Sequence, residues 1–208
     1  MPPPDVVPAT GPSTLASRAE QRRTLKALRR VIPPAQRIRA ARQLARHAAR
    51  AFHLAPGKRV ALYAPLPSEM STAPLEQLAR RRGCRLYLPR ITDKRRSRMQ
   101  FIEAAGPMRA NHLGILEPVR IRAIPARFLD LVFLPLVGFD AAGNRLGMGA
   151  GYYDRAFAFR RLRIAWRQPH LVGVGYSLQQ LPRIVGEPHD VPLDHVVTEK
   201  GVITCSTG

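Results

Sequence analysis

Between Arg145 and Asp154 the chain collects residues suited to holding a phosphate and its counter-ion. Gly147, Gly149 and Gly151 alternate with Met148 and Ala150, and Tyr152 and Tyr153 follow. Glycine lets backbone N–H groups come close to an anion, and a helix starting after such a loop aims its positive end there. Arg145 and Asp154 flank the loop. One could pair with a phosphate and the other with a metal ion, although an aspartate at a helix start is also favoured on dipole grounds alone. The spacing matches neither G-x-x-x-x-G-K-S/T nor G-x-G-x-x-G, so the common nucleotide patterns are absent. A tyrosine pair beside a phosphate cradle suits a flat second substrate. Asp190, with Asp194 close behind, could bring a second carboxylate to the same ion, or simply start a turn. No G-x-S-x-G or H-E-x-x-H occurs, and His112, His170, His189 and His195 have only adjacency in their favour.

The elements around this loop read as alternating strands and helices. Leu129 to Leu136 is an apolar strand feeding the loop, and a helix runs from Tyr152 to about residues 166–169. Ser17 with Glu20 forms a capping-box pattern for a helix reaching Val31. Arg18 and Arg22, four apart, share one face of it. That face could clamp phosphates, or be a solvated basic face. Pro34 to His53 carries a helical apolar stripe. Arg59 to Ala64 reads as a buried strand, and Glu69 follows it, where open α/β sheets bind ligands. Ser71 or Thr72 caps the next helix, which ends near Gly83. Arg85 to Leu88 is a strand closed by Pro89, Ile91 to Arg98 a loop, and Leu113 to Pro118 a turn-rich connection. Leu171 to Tyr176, Val196 to Thr198 and Val202 to Thr204 complete the strands. The pattern predicts a mostly parallel sheet covered on both faces.

A chain of 208 residues suits one α/β domain, here residues 17–208. Residues 1–16 are proline-rich and aperiodic, and read as a disordered extension rather than a secretory signal. The formal charge is +20, and only Lys26, Lys58, Lys94 and Lys200 are lysines, so the excess is arginine. Most of it reads as an arginine-rich solvated surface, with a local anion site inside it. Cys84 and Cys205 form no CxxC and read as small apolar fillers in a reduced, cytoplasmic protein. No apolar run is long enough to cross a membrane.

Residues 135–157 (PLVGFDAAGNRLGMGAGYYDRAF) resemble the signature of the 5-formyltetrahydrofolate cyclo-ligase family. The resemblance continues, in order, through LYAPLPSEMSTAPLEQLARRRGCRLYLPRI, GILEP and EPHDVPLDHVVTEKGVI, and covers residues from about 18 to 202. It implies a three-layer sandwich of the NagB/RpiA/CoA-transferase type. It implies ATP- and magnesium-dependent cyclisation of 5-formyltetrahydrofolate to 5,10-methenyltetrahydrofolate, with ADP and phosphate released. By position, Arg18, Arg22, and Arg145, Leu146, Gly147, Met148, Gly149, Ala150, Gly151, Tyr152 and Tyr153 would bind ATP. Ala64, Glu69 and Met148 through Tyr152 would bind the folate, Asp154 and Asp190 would hold Mg2+, and Arg145 and Tyr153 would be catalytic. Ala150 stands where members carry Gly or Lys, and Ala64 where they carry a larger apolar residue.

The expected protein is thus a cytoplasmic monomer acting on small molecules, with no membrane or nucleic-acid partner. Two other readings remain in view. One is a basic nucleic-acid-associated protein on the same fold without turnover, although no basic stripe with interleaved aromatics supports it. The other is a family member acting on a different formylated or carboxylated compound.

Overall fold

The structure, a computed structural model, describes residues 17–110, 116–119, 122–162 and 168–206. The proline-rich start, His112 and residues 163–167, where the fourth helix was expected to end, lie outside the described residues.

Two helices come first, α1 (Arg18–Arg30) and α2 (Pro34–Ala51). The Ser17 hydroxyl accepts from the Glu20 N–H while the Glu20 carboxylate accepts from the Ser17 N–H, the reciprocal cap expected. Then come β1 (Arg59–Ala61), α3 (Ala73–Arg81), β2 (Arg85–Asp93), β3 (Arg98–Glu103), β4 (Met108–Ala110), β5 (Leu116–Pro118) and β6 (Ala123–Ile124). The second half holds β7 (Leu131–Pro135), β8 (Gly138–Phe139), β9 (Arg145–Leu146), α4 (Tyr152–Ala156), β10 (His170–Val174), β11 (His195–Val197) and β12 (Val202–Thr204).

Among the described residues, the main sheet has eight strands in the order β12-β11-β10-β7-β1-β2-β3-β6. The five central strands are mutually parallel, while β12, β3 and β6 pair antiparallel at the margins. From β1 the chain moves through α3 to β2 on one side. From β7, on the other side of β1, it moves outward to β10 and β11. Strand order therefore reverses between β1 and β7, and open α/β sheets bind ligands outside the carboxyl ends of such a pair.

Side chains along β7 alternate between the two faces. Leu131 and Phe133 join the core under α2 and α3, built with Leu44, Ala48, Leu75 and Ala79. Val132 and Leu134 join the opposite core, which Phe157, Tyr153 and Ala156 help to cover. A third cluster joins Leu25 of α1 to Val137, Leu146, Leu181 and Ile184. The result is a three-layer α/β sandwich with α1 packed onto the loops near β8 and β9.

Several expected boundaries move. β1 ends at Ala61, leaving residues 62–64 outside the strand. Thr72 does not cap α3; its hydroxyl donates to the Tyr63 carbonyl, and Ser71 Oγ accepts from the Ala73 N–H instead. The most informative change is at Pro89, which does not close β2. The strand runs on to Asp93 and pairs with β3, with the turn at residues 94–97. The Tyr87 carbonyl accepts from the Leu62 N–H on the β1 side. Two residues later Pro89 presents its backbone to that same side, where β1 has ended and no donor is needed. The helix after the glycine loop is shorter than expected: α4 stops at Ala156 and a 3₁₀ turn follows at Ala158–Leu162.

Phe133 is fully buried and meets Phe52 edge-on at 5.6 Å between ring centroids. Phe133→Ala should cost about 3–5 kcal/mol, because a cavity opens in a core that helices and sheet both hold rigid. Urea unfolding monitored by circular dichroism checks this through the shift in midpoint.

Candidate active site

A cleft of about 320 Å3 opens at the carboxyl ends of β1, β2 and β7. Glu69 and Ala64 reach it from the loop after β1, and the run from Gly147 to Asp154 from the glycine loop. Asp190 comes from the loop before β11, and Arg18 and Arg22 from α1. These residues come from four parts of the chain and meet in one place. Among the residues that the resemblance assigns to the site, Leu146 is the exception. Its side chain is fully buried against Leu25 and Val137, so only its backbone could face a ligand. Asp194 is engaged elsewhere, with Arg160 and the Leu171 N–H.

The glycine loop is open where a ligand would lie. A Cβ added at Gly147 or Gly149 would meet no atom within 4 Å. Gly149 has φ +101° and Gly151 φ +67°, conformations that other residues adopt only with strain. Helix α4 spans only five residues and begins after Gly151, an N-cap that has no side chain to bond the first turn. Its dipole therefore contributes less than the longer helix expected from sequence.

Arg145 and Asp154 do not serve two separate partners. Arg145 donates to Asp154 Oδ1 at 2.5 Å and to the Val191 carbonyl at 2.6 Å, while the Val191 N–H also donates to Asp154 Oδ1 at 3.1 Å. Arg145 is buried at 6 % exposure, so the pair locks the glycine loop to the Asp190 loop from beneath. Removing Asp154 would leave the buried Arg145 charge uncompensated, at a cost of about 3–5 kcal/mol.

The cations exposed to the cleft come from α1. Arg22 donates to the Gly147 carbonyl at 2.9 Å. Arg18 donates to Asp190 Oδ2 and to the Val185 carbonyl, both at 3.0 Å. The basic face of α1 is therefore turned to the site rather than to open solvent. Burial raises the Asp190 carboxyl pKa, but the Glu187 N–H and the Arg18 charge outweigh it and hold it below its ordinary value.

Glu69 lies deep at 9 % exposure. Its Oε2 accepts from the Leu66 N–H at 3.0 Å, and its Oε1 lies 4.0 Å from the Arg29 guanidinium. Burial pushes its carboxyl above the usual range, against the pull of the Leu66 N–H, Arg29 and Lys26. Burial also pushes the Tyr153 phenol well up, so it is a hydroxyl donor and not a base near neutral pH.

Asp154 Oδ2 and Asp190 Oδ1 have no protein hydrogen bond among the described residues. Two hard carboxylate oxygens beside an anion cradle fit magnesium, which takes one or two carboxylates plus phosphate oxygens and water. Glu187, not singled out from sequence, and His189, which had only its adjacency to Asp190 in its favour, lie with Asp190 at metal-donor spacing, with donor atoms within 4.8 Å of one another. His189 is exposed and pairs with Glu187 at 3.1 Å. His170 and His195 lie outside the cleft lining. Both cysteines are buried thiols, and burial pushes Cys205 up to about 11, as befits filler.

Residues 14–199 match a family model described as "5-formyltetrahydrofolate cyclo-ligase family". The chain belongs to the 5-formyltetrahydrofolate cyclo-ligase family. It is 32% identical over 182 residues to the 5-formyltetrahydrofolate cyclo-ligase of Haemophilus influenzae, spanning 85% of this chain and 94% of that protein. It is 34% identical over 149 residues to the Escherichia coli (strain K12) 5-formyltetrahydrofolate cyclo-ligase, spanning 69% of this chain and 79% of that protein. The solution structure of Aquifex aeolicus 5,10-methenyltetrahydrofolate synthetase superposes with a TM-score of 0.76 at 28% identity, covering 92% of this chain and 94% of that one. Among the described residues no helix is long and apolar enough to cross a membrane.

The cleft of this cyclo-ligase family member also contains residues that sequence reading passed over. Leu88, Pro89, Ile91 and Met99 line it from β2 and β3. Their signal was available, because Leu88 and Pro89 end a segment read as a parallel strand, where ligands gather. Ending that strand at Pro89 hid it.

Asp190 gives a pH-dependent prediction. Its folded pKa is depressed, so its contribution to stability is present above the unfolded value of about 4 and is lost as pH falls through the folded value. Asp190→Asn should unfold at lower urea than wild type at pH 7, and the gap should close below about pH 4. Equal midpoints at pH 7 would contradict the Arg18–Asp190 assignment.

Proposed function

We propose that this cleft performs the ATP-dependent closure of 5-formyltetrahydrofolate to 5,10-methenyltetrahydrofolate, releasing ADP and phosphate. The carrying observation is that one cleft joins two unlike halves. One is a glycine loop bordered by Arg18, Arg22, Asp154 and Asp190; the other is a buried carboxylate, Glu69, among apolar walls. Such a site suits a nucleotide next to a flat heterocycle.

The triphosphate would lie along the glycine loop, where the space beside Gly147 and Gly149 is open, with Arg18 and Arg22 turned toward it. Asp154 and Asp190 would hold Mg2+, which when bound neutralises phosphate charge. Glu69 would accept paired hydrogen bonds from pterin N–H groups and fix the ring's orientation. Ala64 and Met148 to Tyr152 would complete the folate contacts, and the small Ala64 leaves room there. The formyl oxygen attacks the γ-phosphorus as the bond to ADP breaks. N10 then attacks the activated formyl carbon and gives up its proton to the phosphate or to water, and the C–O bond breaks with phosphate leaving. Positioning and charge neutralisation suffice for this chemistry, which fits a cleft with no activated serine or cysteine. Tyr153, kept protonated by burial, can donate a hydrogen bond to a phosphate oxygen. Arg145 acts by holding Asp154 and the Asp190 loop in place, which differs from a direct phosphate contact.

Purified protein with ATP, magnesium and 5-formyltetrahydrofolate should generate the near-ultraviolet absorbance of methenyltetrahydrofolate, and its absence from folded protein would refute the assignment. Asp154→Asn should lower kcat at least about a hundredfold, the scale of removing a charge-stabilising group from a preorganised site. Wild-type turnover by that variant would remove Asp154 from the metal role.

A further inference from the structure

A carboxylate that accepts from two ring N–H groups must be ionised, because protonation turns one of its oxygens into a donor. Glu69 is placed where that is hard to maintain, since burial disfavours its charged form. Two cations face it, Arg29 and Lys26, both on α1, and Arg29 pulls the harder. The titratable neighbours from other elements are Tyr63, beyond β1, and Tyr153 of α4, and burial holds both phenols protonated. Arg29 is 3 % exposed and Lys26 is only half-buried, so solvent screens the field of Arg29 less.

Arg29 stands close to Glu69 without bonding it. Its Nη1 stops 4.0 Å from Oε1, beyond hydrogen-bond reach. That nitrogen donates instead to the Leu136 carbonyl at 3.4 Å, and Nε donates to Ser68 Oγ at 3.2 Å. The Arg29 carbonyl accepts from Arg37 Nη2 at 3.0 Å, which pins the backbone behind the side chain. On Glu69, Oε2 accepts from the Leu66 N–H and keeps one further acceptor site. Oε1 accepts no hydrogen bond from the described residues and remains open to the cleft. A bidentate arginine–carboxylate pair would occupy both oxygens. Here the charge is supplied and the acceptor is left over.

We propose that Arg29 is a positioning residue for the folate: it supplies the counter-charge that keeps Glu69 a carboxylate, while Ser68 and Leu136 hold it back so that Glu69 Oε1 stays free for the ligand. The inference rests on the folate reading of the cleft. It divides the arginines of α1 between two tasks. Arg18 and Arg22 face the glycine loop and the Asp190 loop. Arg29, two turns beyond Arg22, touches no ligand and acts through Glu69.

The test measures KM for 5-formyltetrahydrofolate against pH in wild type, Arg29→Gln and Arg29→Lys. In wild type KM should rise on the acid side as Glu69 takes a proton. Gln removes the counter-charge, so in Arg29→Gln the rise should begin about one pH unit or more higher, and KM should return to the wild-type value at more alkaline pH. Lys keeps the charge but swings freely enough to bond Oε1 itself. Arg29→Lys should therefore leave the acid rise in place and increase KM roughly fivefold at every pH. KM for ATP should stay put in both. An acid rise unmoved in Arg29→Gln would overturn the proposal. So would a KM raised equally at every pH in that variant, the mark of a merely structural role, or an equal rise in KM for ATP. A wild-type KM in Arg29→Lys would overturn the claim that Arg29 is held back from Oε1. If Arg29→Gln does not fold, Arg29→Gln/Glu69→Gln decides: recovery of the fold supports the charge pairing, and a second failure overturns it. No turnover by wild type would instead overturn the reaction assignment on which the proposal stands.

Discussion

Helix α1 carries Arg18, Arg22 and Arg29 on one side, and each guanidinium ends on a different loop. Arg18 reaches Val185 and Asp190, Arg22 the Gly147 carbonyl, and Arg29 Ser68 and the Leu136 carbonyl beside Glu69. Leu25, between them, enters the third hydrophobic cluster. The loops of an α/β sheet's carboxyl end are separate peptides with no ladder joining them. One rigid rod bonded to three of them supplies the cross-link that the sheet itself cannot, and the geometry of the cleft depends on it.

Much of this was legible in the residues. The capping pattern at Ser17 and Glu20 placed the start of α1 because a local hydrogen-bond exchange needs no tertiary partner. The unbroken apolar run from Leu131 to Leu134 located the central strand, because a strand covered on both faces is apolar at every position. The glycine loop was legible because backbone freedom is a property of the residue type. Position in the chain made Glu69, Asp190, Arg18 and Arg22 candidates, family resemblance gave them roles, and all four line the cleft.

What could not be read was who pairs with whom. Arg145 and Asp154 are both flanking residues in sequence, and nine positions apart they could serve separate ligands. Only the fold shows that they meet each other over Val191. Leu146 looks like part of the loop, yet the packing of α1 draws it into a core. Pro89 looked like a strand terminus because proline usually ends pairing. The register of β1 against β2 decides that question, and register is a tertiary fact. The charge followed the same logic. Arg29, Arg145 and Arg160 are buried arginines, and Arg160 is joined to Asp194 at 2.7 Å. Composition alone cannot separate these from cations in solvent.

Pro89 has a consequence beyond shaping the cleft. Among the described residues, β2 past Tyr87 has a strand partner on one side only, so its other side is a strand edge beside an apolar surface. Such an edge invites pairing with a strand of another molecule, the first step of self-association into extended sheets. At Pro89 the backbone offers no N–H to an incoming strand, and the cations clustered at the hairpin tip repel a second copy of themselves. The chain thus keeps an open, sticky groove for its ligand while denying it to its own kind.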